Sequence, residues 1–308
     1  MKVPWARLCR TILLIAGAIA GLLSATGIHA DEDDTAARMT QALIGVASDY
    51  RIVLQDDTDP LQFRREPLLV WVNPVRHAQQ GVVHVWTRDG RARAIGSIFA
   101  NTLDDGTKQI VHELHSLAPS GLTATLPKLG DVWHPTKPGL PLSVLEEAPA
   151  PADSAPGRLL QMRRLGREFS GHSVDFEGGR WQLRLLPQPL YRYETGDDIH
   201  DGAVFSMVSN AGTDPEILLV FEVRDTGNGP RWHYAAARFS DLRLYLDHKG
   251  KRVWQFEAPD GVVSYSFQAS EVDAYRLFVE RSMTRAEAEL FLQSAAPGAN
   301  DANSKNRD

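Results

Sequence analysis

Cysteine is almost absent from this sequence: Cys9 is the only one in 308 residues. It lies within an N-terminal segment that has the pattern of a cleaved signal, so we expect the mature chain to contain no thiol. That absence excludes a disulfide framework, a cysteine-based zinc site and a cysteine nucleophile. A chain of this length can bury a stable apolar core without disulfide bonds.

Basic residues are outnumbered by acidic ones, with 33 Lys and Arg against 39 Asp and Glu, and the net charge is −6. No long basic tract offsets this balance. Nucleic-acid binding depends on a basic surface that displaces counterions from phosphate, so we expect no nucleic-acid partner. A second apolar run of spanning length is also missing, and we expect no membrane span in the mature chain.

The first thirty residues have the layout of a secretory signal peptide. Lys2, Arg7 and Arg10 precede the apolar run TILLIAGAIAGLL, and small residues follow up to Ala30. A retained membrane anchor is the alternative, but the run is shorter than the roughly 18 residues that span a bilayer. We expect cleavage after Ala30 and export to the periplasm or the extracellular space. Cleavage removes three positive charges, which lowers the net charge from −6 to −9.

Intact-mass measurement on the exported protein is expected to give a chain of 278 residues that begins at Asp31, because 30 of the 308 residues are removed. A product that still carries residues 1–30 would indicate an anchored protein instead.

Two parts of the chain share an order of apolar runs and turns. Gly81 and Gly202, which open similar strands, are 121 positions apart, and so are Trp133 and Trp254. The segments LLVWVNPVRHA and RLLPQPLYRY also resemble each other, since each has an amide residue and a proline after an apolar run. The constant offset indicates internal duplication. A chance likeness between two antiparallel sheets is the alternative.

The sequence therefore predicts an α+β fold of two similar units, each a helix followed by an antiparallel β-sheet, that arose by internal duplication. The helices are expected in ARMTQALIGVASDY and GRLLQMRRLGREFS, because their apolar residues recur at three-and-four spacing. The expected boundaries are a signal peptide (1–30), the first unit (31–142), a Pro/Ala-rich linker (143–157), the second unit (158–262), a C-terminal strand and helix (263–295) and a disordered tail (296–308).

Two local signals position single residues. Pro74 and Pro189 are expected at equivalent places in the first strand after each helix, as an edge strand tolerates the missing hydrogen-bond donor of proline. Thr284 and Glu287 predict a capping box at the start of the C-terminal helix, with Leu290 and Phe291 facing inward.

One stretch is rich in histidine, HELH, from His112 to His115. The zinc-protease motif is HExxH on a helix, whereas this spacing is one residue short and the context predicts a strand. On a strand, Glu113 and His115 share one face and His112 lies on the other. His84, from a neighbouring strand, could join Glu113 and His115 in a metal-dependent or hydrolytic site. A polar sheet face without a catalytic role is the alternative.

Tyr191 and Tyr193 share one face of a predicted strand, where they could line a glycan or peptide groove or pack in the core. The sequence has no glycine-rich phosphate loop, no nucleophile elbow and no set of Cys and His with metal-ligand spacing. We therefore expect no cofactor and no metal.

The segments ELHSL, RLLPQPLYRY, DGAVF and TDPEILLVFEV carry a resemblance that covers most of residues 65–257. Through them the mature chain resembles a group of uncharacterised exported proteins from planctomycete bacteria. The resemblance implies export and a shared fold, and it supplies no activity or site.

These observations favour a non-enzymatic binding or structural protein. Its partner is expected to be a small-molecule, glycan or protein ligand, bound at a surface between the two units. The alternative hypothesis is a hydrolase or metal-dependent enzyme that uses the face of His84, Glu113 and His115.

Overall fold

A computed structural model of the protein describes residues 34–75, 79–195, 199–227, 229–257 and 270–294. The expected signal peptide (1–30) and the tail expected at 296–308 lie outside these residues, as do residues 262–268, VVSYSFQ, whose alternating pattern is the reason for predicting a C-terminal strand. The chain divides into two compact units. One comprises Met1–Ala42 with Glu289–Asp308, and the other comprises Leu43–Ala288.

Most of the described elements are strands, and no described helix is long and apolar enough to cross a membrane. The elements up to the middle of the chain are α1 (34–48), β1 (Arg51–Leu54), β2 (Gln62–Phe63), β3 (Leu69–Asn73), β4 (Gln79–Arg88), β5 (Arg91–Thr102), β6 (Lys108–Ser116), β7 (Leu122–Leu126), β8 (Gly130–Trp133) and β9 (Ser143–Val144). The remaining elements are α2 (Ala155–Gly166), β10 (Phe169–Val174), β11 (Arg180–Leu185), β12 (Tyr191–Thr195), β13 (Ile199–Ser209), β14 (Pro215–Asp225), β15 (Pro230–Arg238), β16 (Arg243–His248), β17 (Lys251–Phe256), β18 (Tyr275–Met283) and α3 (Arg285–Ser294).

In the smaller unit, the structure describes residues 34–42 and 289–294. The first of these belongs to α1, where Arg38 and Asp34 form an ion pair one helical turn apart, with Nε and Oδ2 separated by 3.1 Å. Met39 and Ala42 are buried at a spacing of three, which is the amphipathic pattern that predicts a helix here.

The capping box predicted for α3 is confirmed. The backbone N–H of Thr284 donates to Glu287 Oε2 at 2.7 Å, and the Glu287 N–H donates to Thr284 Oγ1 at 3.4 Å. The inward orientation predicted for Leu290 is wrong, because its side chain is 64% exposed. Ala288 and Leu292, four positions apart, are the buried residues of this helix instead.

The described strands of the larger unit form three antiparallel sheets. A three-stranded sheet has the order β1-β7-β8. A six-stranded sheet has the order β18-β6-β5-β4-β2, and β3 also pairs with β4. A nine-stranded sheet has the order β17-β16-β10-β11-β13-β14-β15-β9, and β12 also pairs with β13. The structure is therefore α+β, with antiparallel sheets as its main component.

The two larger sheets share one apolar core, since a single cluster of buried side chains takes members from both. The six-stranded sheet and its β3 extension supply Trp71, Val83, Val85, Ala92, Ile95, Phe99, Val111, Tyr275 and Leu277. The nine-stranded sheet supplies Tyr193, Ile199, Val204, Leu218, Val220 and Ala237. Burying each large apolar side chain contributes roughly 1.5–3 kcal/mol, so the core between the sheets stabilises their association.

A second apolar cluster lies on the other face of the nine-stranded sheet. Helix α2 contributes Met162 and Leu165 to it, and strands β13 and β14 contribute Phe205 and Phe221. The helix begins with Ser154 as N-cap, whose side chain accepts a hydrogen bond from the Gly157 N–H.

The linker predicted at 143–157 is therefore wrong at both ends. Its first two residues form β9, in which Val144 pairs with His233 of β15, and Leu145 is buried beside them. Its last three residues are the first turn of α2. The proline content suggested a linker, but local composition does not show that Leu145 has a buried place in the sheet core.

The expected equivalence of Pro74 and Pro189 is also wrong. Pro74 follows the last residue of β3, whereas Pro189 precedes the first residue of β12. Both β3 and β12 are the third strand after their helix, not the first. Pro187 and Pro189 lie in the connection between β11 and β12, so neither interrupts a ladder of hydrogen bonds.

Two glycines allow aromatic rings to lie flat against a neighbouring strand. Gly81 of β4 pairs with Trp71, and Gly202 of β13 pairs with Tyr193. A Cβ atom at Gly81 would lie 2.4 Å from Trp71 Cε2, and one at Gly202 would lie 2.3 Å from Tyr193 Cε2. Both positions therefore require glycine, and the rings replace the missing side chains in the packing.

Replacing either glycine with alanine is expected to lower the free energy of unfolding by about 1–3 kcal/mol, as overpacking of a core does. Gly45→Ala is the matched control, because nothing lies within 4 Å of a Cβ atom there. Inside helix α1 this change is expected to stabilise the protein by about 0.5–1 kcal/mol. Urea unfolding of the three variants measures these changes, and equal effects in all three would contradict the packing argument.

Candidate functional site

The three residues of the predicted histidine site lie on two different faces of the six-stranded sheet. Cross-strand pairing through β5 aligns His84 with Leu114 and aligns Glu113 with Val83. Glu113 and His115 therefore face the core between the sheets, as the alternation of a strand predicts, while His84 faces away from it. The combined His84–Glu113–His115 site is wrong for this reason.

His84 occupies a buried aromatic environment on its own face. Its ring lies 4.9 Å from that of Phe63, and its Nδ1 lies 3.0 Å from the carbonyl oxygen of Arg64. A carbonyl oxygen only accepts, so Nδ1 carries the proton in this contact. Burial lowers the pKa of His84. Local structure therefore satisfies Nδ1, while Nε2 is buried without a hydrogen-bond partner among the described residues.

Glu113 and His115 form part of a polar cluster inside the core between the sheets. Tyr275 donates its hydroxyl to Glu113 Oε1 at 2.6 Å, and His115 donates Nε2–H to the Gly139 carbonyl at 3.0 Å. The guanidinium carbon of Arg238 lies 3.9 Å from the centre of the Tyr275 ring. Burial raises the pKa of Glu113 to about 8 and lowers the pKa of His115 to about 4. Both groups are therefore uncharged at neutral pH.

His112, on the opposite face, is the centre of a separate hydrogen-bond chain. Its Nδ1 lies 2.6 Å from the Tyr50 hydroxyl, and its Nε2 lies 2.9 Å from Glu280 Oε2. Because a carboxylate accepts, Nε2 carries the proton and Tyr50 donates to Nδ1. Burial lowers the pKa of His112 and raises that of Tyr50. This series of hydrogen bonds links Tyr50, His112 and Glu280, which are distant in sequence.

Tyr191 and Tyr193 stack, with ring centres 6.0 Å apart. Tyr193 is buried in the core between the sheets, and Tyr191 packs against that core. The Tyr191 hydroxyl donates to the carbonyl of Gly90 at 2.7 Å. The second of the two interpretations, packing in the core, describes these tyrosines.

The structure also has an open pocket that the sequence did not identify, and Tyr193 is connected to it through Glu222 and Arg91. A pocket of about 270 Å³ lies beside the buried core. We call it the arginine pocket, and its lining residues are Arg91, Leu117, Ala118, Pro119, Pro138, Leu140, Leu142 and Arg224. Two guanidinium groups form its polar side, and leucines, prolines and Ala118 form its apolar wall.

Glu222 fixes the polar side of the arginine pocket. Its carboxylate is fully buried and accepts from the Tyr193 hydroxyl at 2.6 Å. Arg91 Nη2 donates to its two oxygens at 2.9 and 3.2 Å, and Arg224 Nε lies 3.5 Å from Oε2. A buried carboxylate needs such partners to offset its desolvation, so the two arginines are held in place before any ligand binds.

The apolar wall is built from two chain segments that dock on β5 and β6. Leu117 N–H donates to the Arg93 carbonyl at 2.8 Å, and Gly139 N–H donates to the Ala118 carbonyl at 3.1 Å. A Cβ atom at Gly139 would lie 1.9 Å from the Ser116 carbonyl oxygen. Only glycine permits this close approach, which sets the position of residues 138–142.

Comparisons with protein-family models, with curated proteins and with solved structures give no significant match to this chain. Within the described ranges, no group of three or more His, Cys, Asp or Glu side chains has the arrangement of a metal site. A function must therefore be inferred from the geometry of the pockets and polar clusters.

The sequence contained one signal for the arginine pocket. Glu222 interrupts the apolar run ILLVF-E-V of a strand that is otherwise buried on both faces, and a carboxylate in such a run needs a buried cationic partner. The identity of that partner depends on which strands pair and which loops approach, so Arg91, 131 positions away, could not be named from the pattern.

The buried Glu113 generates a dependence of stability on pH. The folded protein holds the Glu113 proton up to about pH 8, and the unfolded chain only up to its ordinary pKa of 4.5. Stability must therefore fall as pH rises between these values, because the folded state binds more protons. His115 gives the opposite slope between about 4 and its ordinary 6.5, so the fall emerges between about pH 6.5 and 8.

Glu113→Gln keeps an acceptor for Tyr275 and removes the titration. We expect the wild-type free energy of unfolding to fall by up to about 2 kcal/mol between pH 6.5 and 8, and the variant to lack this fall. Urea unfolding at the two pH values measures it. Exposed Glu177, changed to Gln, is the control and should behave as wild type. An unchanged slope in Glu113→Gln would show that Glu113 is not the titrating group.

Proposed function

We propose that this is an exported, non-enzymatic binding protein whose ligand occupies the arginine pocket. The observation that carries the proposal is the fixed pair Arg91 and Arg224, held by the buried Glu222 and facing an apolar wall. A concave apolar surface with a few prearranged polar groups is the usual form of a ligand site. Neither Glu113 nor His115, the remaining members of the hypothetical enzyme site, lines this pocket.

The pocket is formed by residues from both halves of the chain. Arg91 and the wall of residues 117–142 belong to the predicted first unit, while Arg224 and Glu222 belong to the predicted second unit. This position agrees with a binding surface between two units, which the sequence favoured. The buried ion pair between Arg91 and Glu222 connects the two predicted units at this pocket.

We further propose that the two units arose by duplication, each as a helix followed by an antiparallel sheet. The strand pairings support this, since they recur in the same order. The pairs β1–β7 and β7–β8 correspond to β10–β16 and β16–β17. The pairs β2–β4, β3–β4, β4–β5 and β5–β6 correspond to β11–β13, β12–β13, β13–β14 and β14–β15.

Registers within these pairs support the duplication more strongly than their order does. Trp133 pairs with Ala124, and Trp254 pairs with Leu246, in each case beside an irregularity of the ladder. The ring-over-glycine pairs of β3–β4 and β12–β13 are a second match. In these registers, Pro189 corresponds to Pro67, which likewise precedes a leucine that donates its N–H across to β4 or β13.

Reciprocal contacts support a pseudo-twofold arrangement of the two units. The turn between β13 and β14 reaches β3, where Thr213 N–H donates to the Val72 carbonyl at 3.1 Å. The turn between β4 and β5 reaches β12, where Gly90 accepts from Tyr191. Two copies of one unit that face each other produce such paired contacts.

The binding proposal is tested by filling the pocket. A library of small molecules, glycans and peptides is screened for compounds that raise the thermal midpoint of the mature protein, since a ligand at 100 times its Kd adds about 2.7 kcal/mol. In Leu142→Trp the indole should occupy the pocket, and we expect the shift from a true ligand to be lost.

Leu160→Trp is the matched control, because Leu160 lies on α2 with 49% of its surface exposed and does not line the pocket. It should respond as wild type does. The proposal is wrong if every compound that stabilises the wild type stabilises Leu142→Trp equally.

A further inference from the structure

The outer side of helix α2 combines an apolar side chain with a row of arginines. Four residues at helical spacing form this surface, which we call the α2 face: Leu160, Arg163, Arg164 and Arg167. Because each residue turns a helix by about 100°, the four lie within an arc of roughly 100°. Met162 and Leu165, on the opposite side, are buried in the second apolar cluster. The α2 face therefore points away from the sheet that the helix covers.

The described residues around the α2 face do not neutralise its positive charge. Arg164 and Arg167 are exposed, and their side chains make no ion pair or hydrogen bond with another described residue. Arg163 donates from Nη2 to the side chain of Gln188, which is uncharged, and its Nε is buried without a partner in the described part of the chain. Three guanidinium charges therefore remain on one side of a single helix.

The acids at the end of α2 are paired with other cations. Glu168 Oε2 lies 3.4 Å from Lys249 Nζ and 3.2 Å from His248 Nε2, and Glu147 accepts from the same lysine at 2.8 Å. The first turn of the helix contains no acid. Cations in the last turn of a helix stabilise its dipole, which accounts for arginines at this end of α2. The dipole does not account for an exposed leucine among them.

The combination of one leucine with three arginines indicates the kind of partner. Leu160 is 49% exposed. A protein interface usually has an apolar centre of several residues inside a polar rim, and the α2 face has a single apolar residue. A soluble polyanion would pair with the arginines and leave the leucine in water. The interfacial region of an anionic bilayer accepts a shallow apolar side chain and attracts basic residues at the same time.

We propose that the α2 face is a peripheral binding surface for an anionic lipid bilayer, with Leu160 among the head groups and the arginines on lipid phosphates. A guanidinium presents its donors as a planar fork that matches phosphate oxygens. Because the net charge of the chain is −6, an anionic surface repels the rest of the protein, which restricts the contact to this face. The arginine pocket has no lining residue from α2 and stays free for its ligand.

Flotation with lipid vesicles tests this surface on protein that begins at Asp31, so that the apolar run of the predicted signal peptide takes no part. The vesicles contain phosphatidylcholine alone or an equal mixture with phosphatidylglycerol. We expect binding to the mixed vesicles only, and weaker binding at higher ionic strength, because salt screens exposed charges. The double variant Arg164→Gln/Arg167→Gln should bind roughly 25-fold more weakly, since each basic residue contributes roughly fivefold. Leu160→Gln should bind roughly fivefold more weakly.

Arg180→Gln/Arg184→Gln is the matched control, because it removes the same charge from two exposed positions of β11. Leu183 of this strand packs in the same apolar cluster as α2, so the two arginines lie on the opposite face of the sheet. The control should bind the mixed vesicles as wild type does. Urea unfolding of all three variants should match that of wild type, since every changed position is exposed.

A wild-type protein that does not bind the mixed vesicles, or binds both kinds of vesicle equally, would overturn the proposal. An equal loss in the two arginine double variants would overturn the α2 face as the contact. Binding to poly-glutamate but not to the mixed vesicles would overturn the lipid surface and indicate an acidic protein partner. None of the changed residues lines the arginine pocket, so these results leave the proposed function and its thermal test untouched.

Discussion

Strands β5 and β14 are buried along most of their length on both faces, so each of the two large sheets needs apolar cover on both sides. One cover is the other sheet, and the shared core between them is the result. For the nine-stranded sheet, helix α2 supplies the second cover. Polar side chains that the strands carry into this core must find partners there, because water cannot reach them. The positions of the polar clusters follow from this constraint.

The two polar clusters in the core meet the constraint in different ways. For Glu113 the effect of burial outweighs the attraction of Arg238, and the carboxyl is held uncharged with a hydrogen bond from Tyr275. Glu222 is paired with Arg91 and with Tyr193. The uncharged Glu113 does not line the arginine pocket. The ion pair of Glu222, in contrast, places the Arg91 guanidinium at the edge of the core, where it lines that pocket.

Local patterns predicted the features that depend on neighbouring residues. The capping box of Thr284 and Glu287, the helix in residues 34–48 and the alternation of Glu113 and His115 against His112 needed no knowledge of the fold. The predictions that were wrong for His84 and for the prolines depend on strand register. A shift of one residue moves a side chain to the other face of a sheet, so the face of His84 was not available from spacing alone. Strand register is also the reason why the sequence comparison matched Pro189 with Pro74, whereas the observed registers match it with Pro67.

Register also locates a difference between the two halves of the proposed duplication. In β4 and β5, Gly81 pairs with Phe99, and the ring of Trp71 covers the glycine. The rings of Trp71 and Phe99 lie 5.4 Å apart. This arrangement is apolar apart from the indole N–H of Trp71. In β13 and β14 the corresponding glycine pairs with Glu222, and the covering ring is Tyr193, whose hydroxyl donates to that carboxylate. A phenylalanine needs no partner in the core, whereas a glutamate there requires a cation. Under the proposed duplication, the exchange of one aromatic pair for a tyrosine and a glutamate accounts for the ion pair with Arg91 and for the arginine pocket beside it.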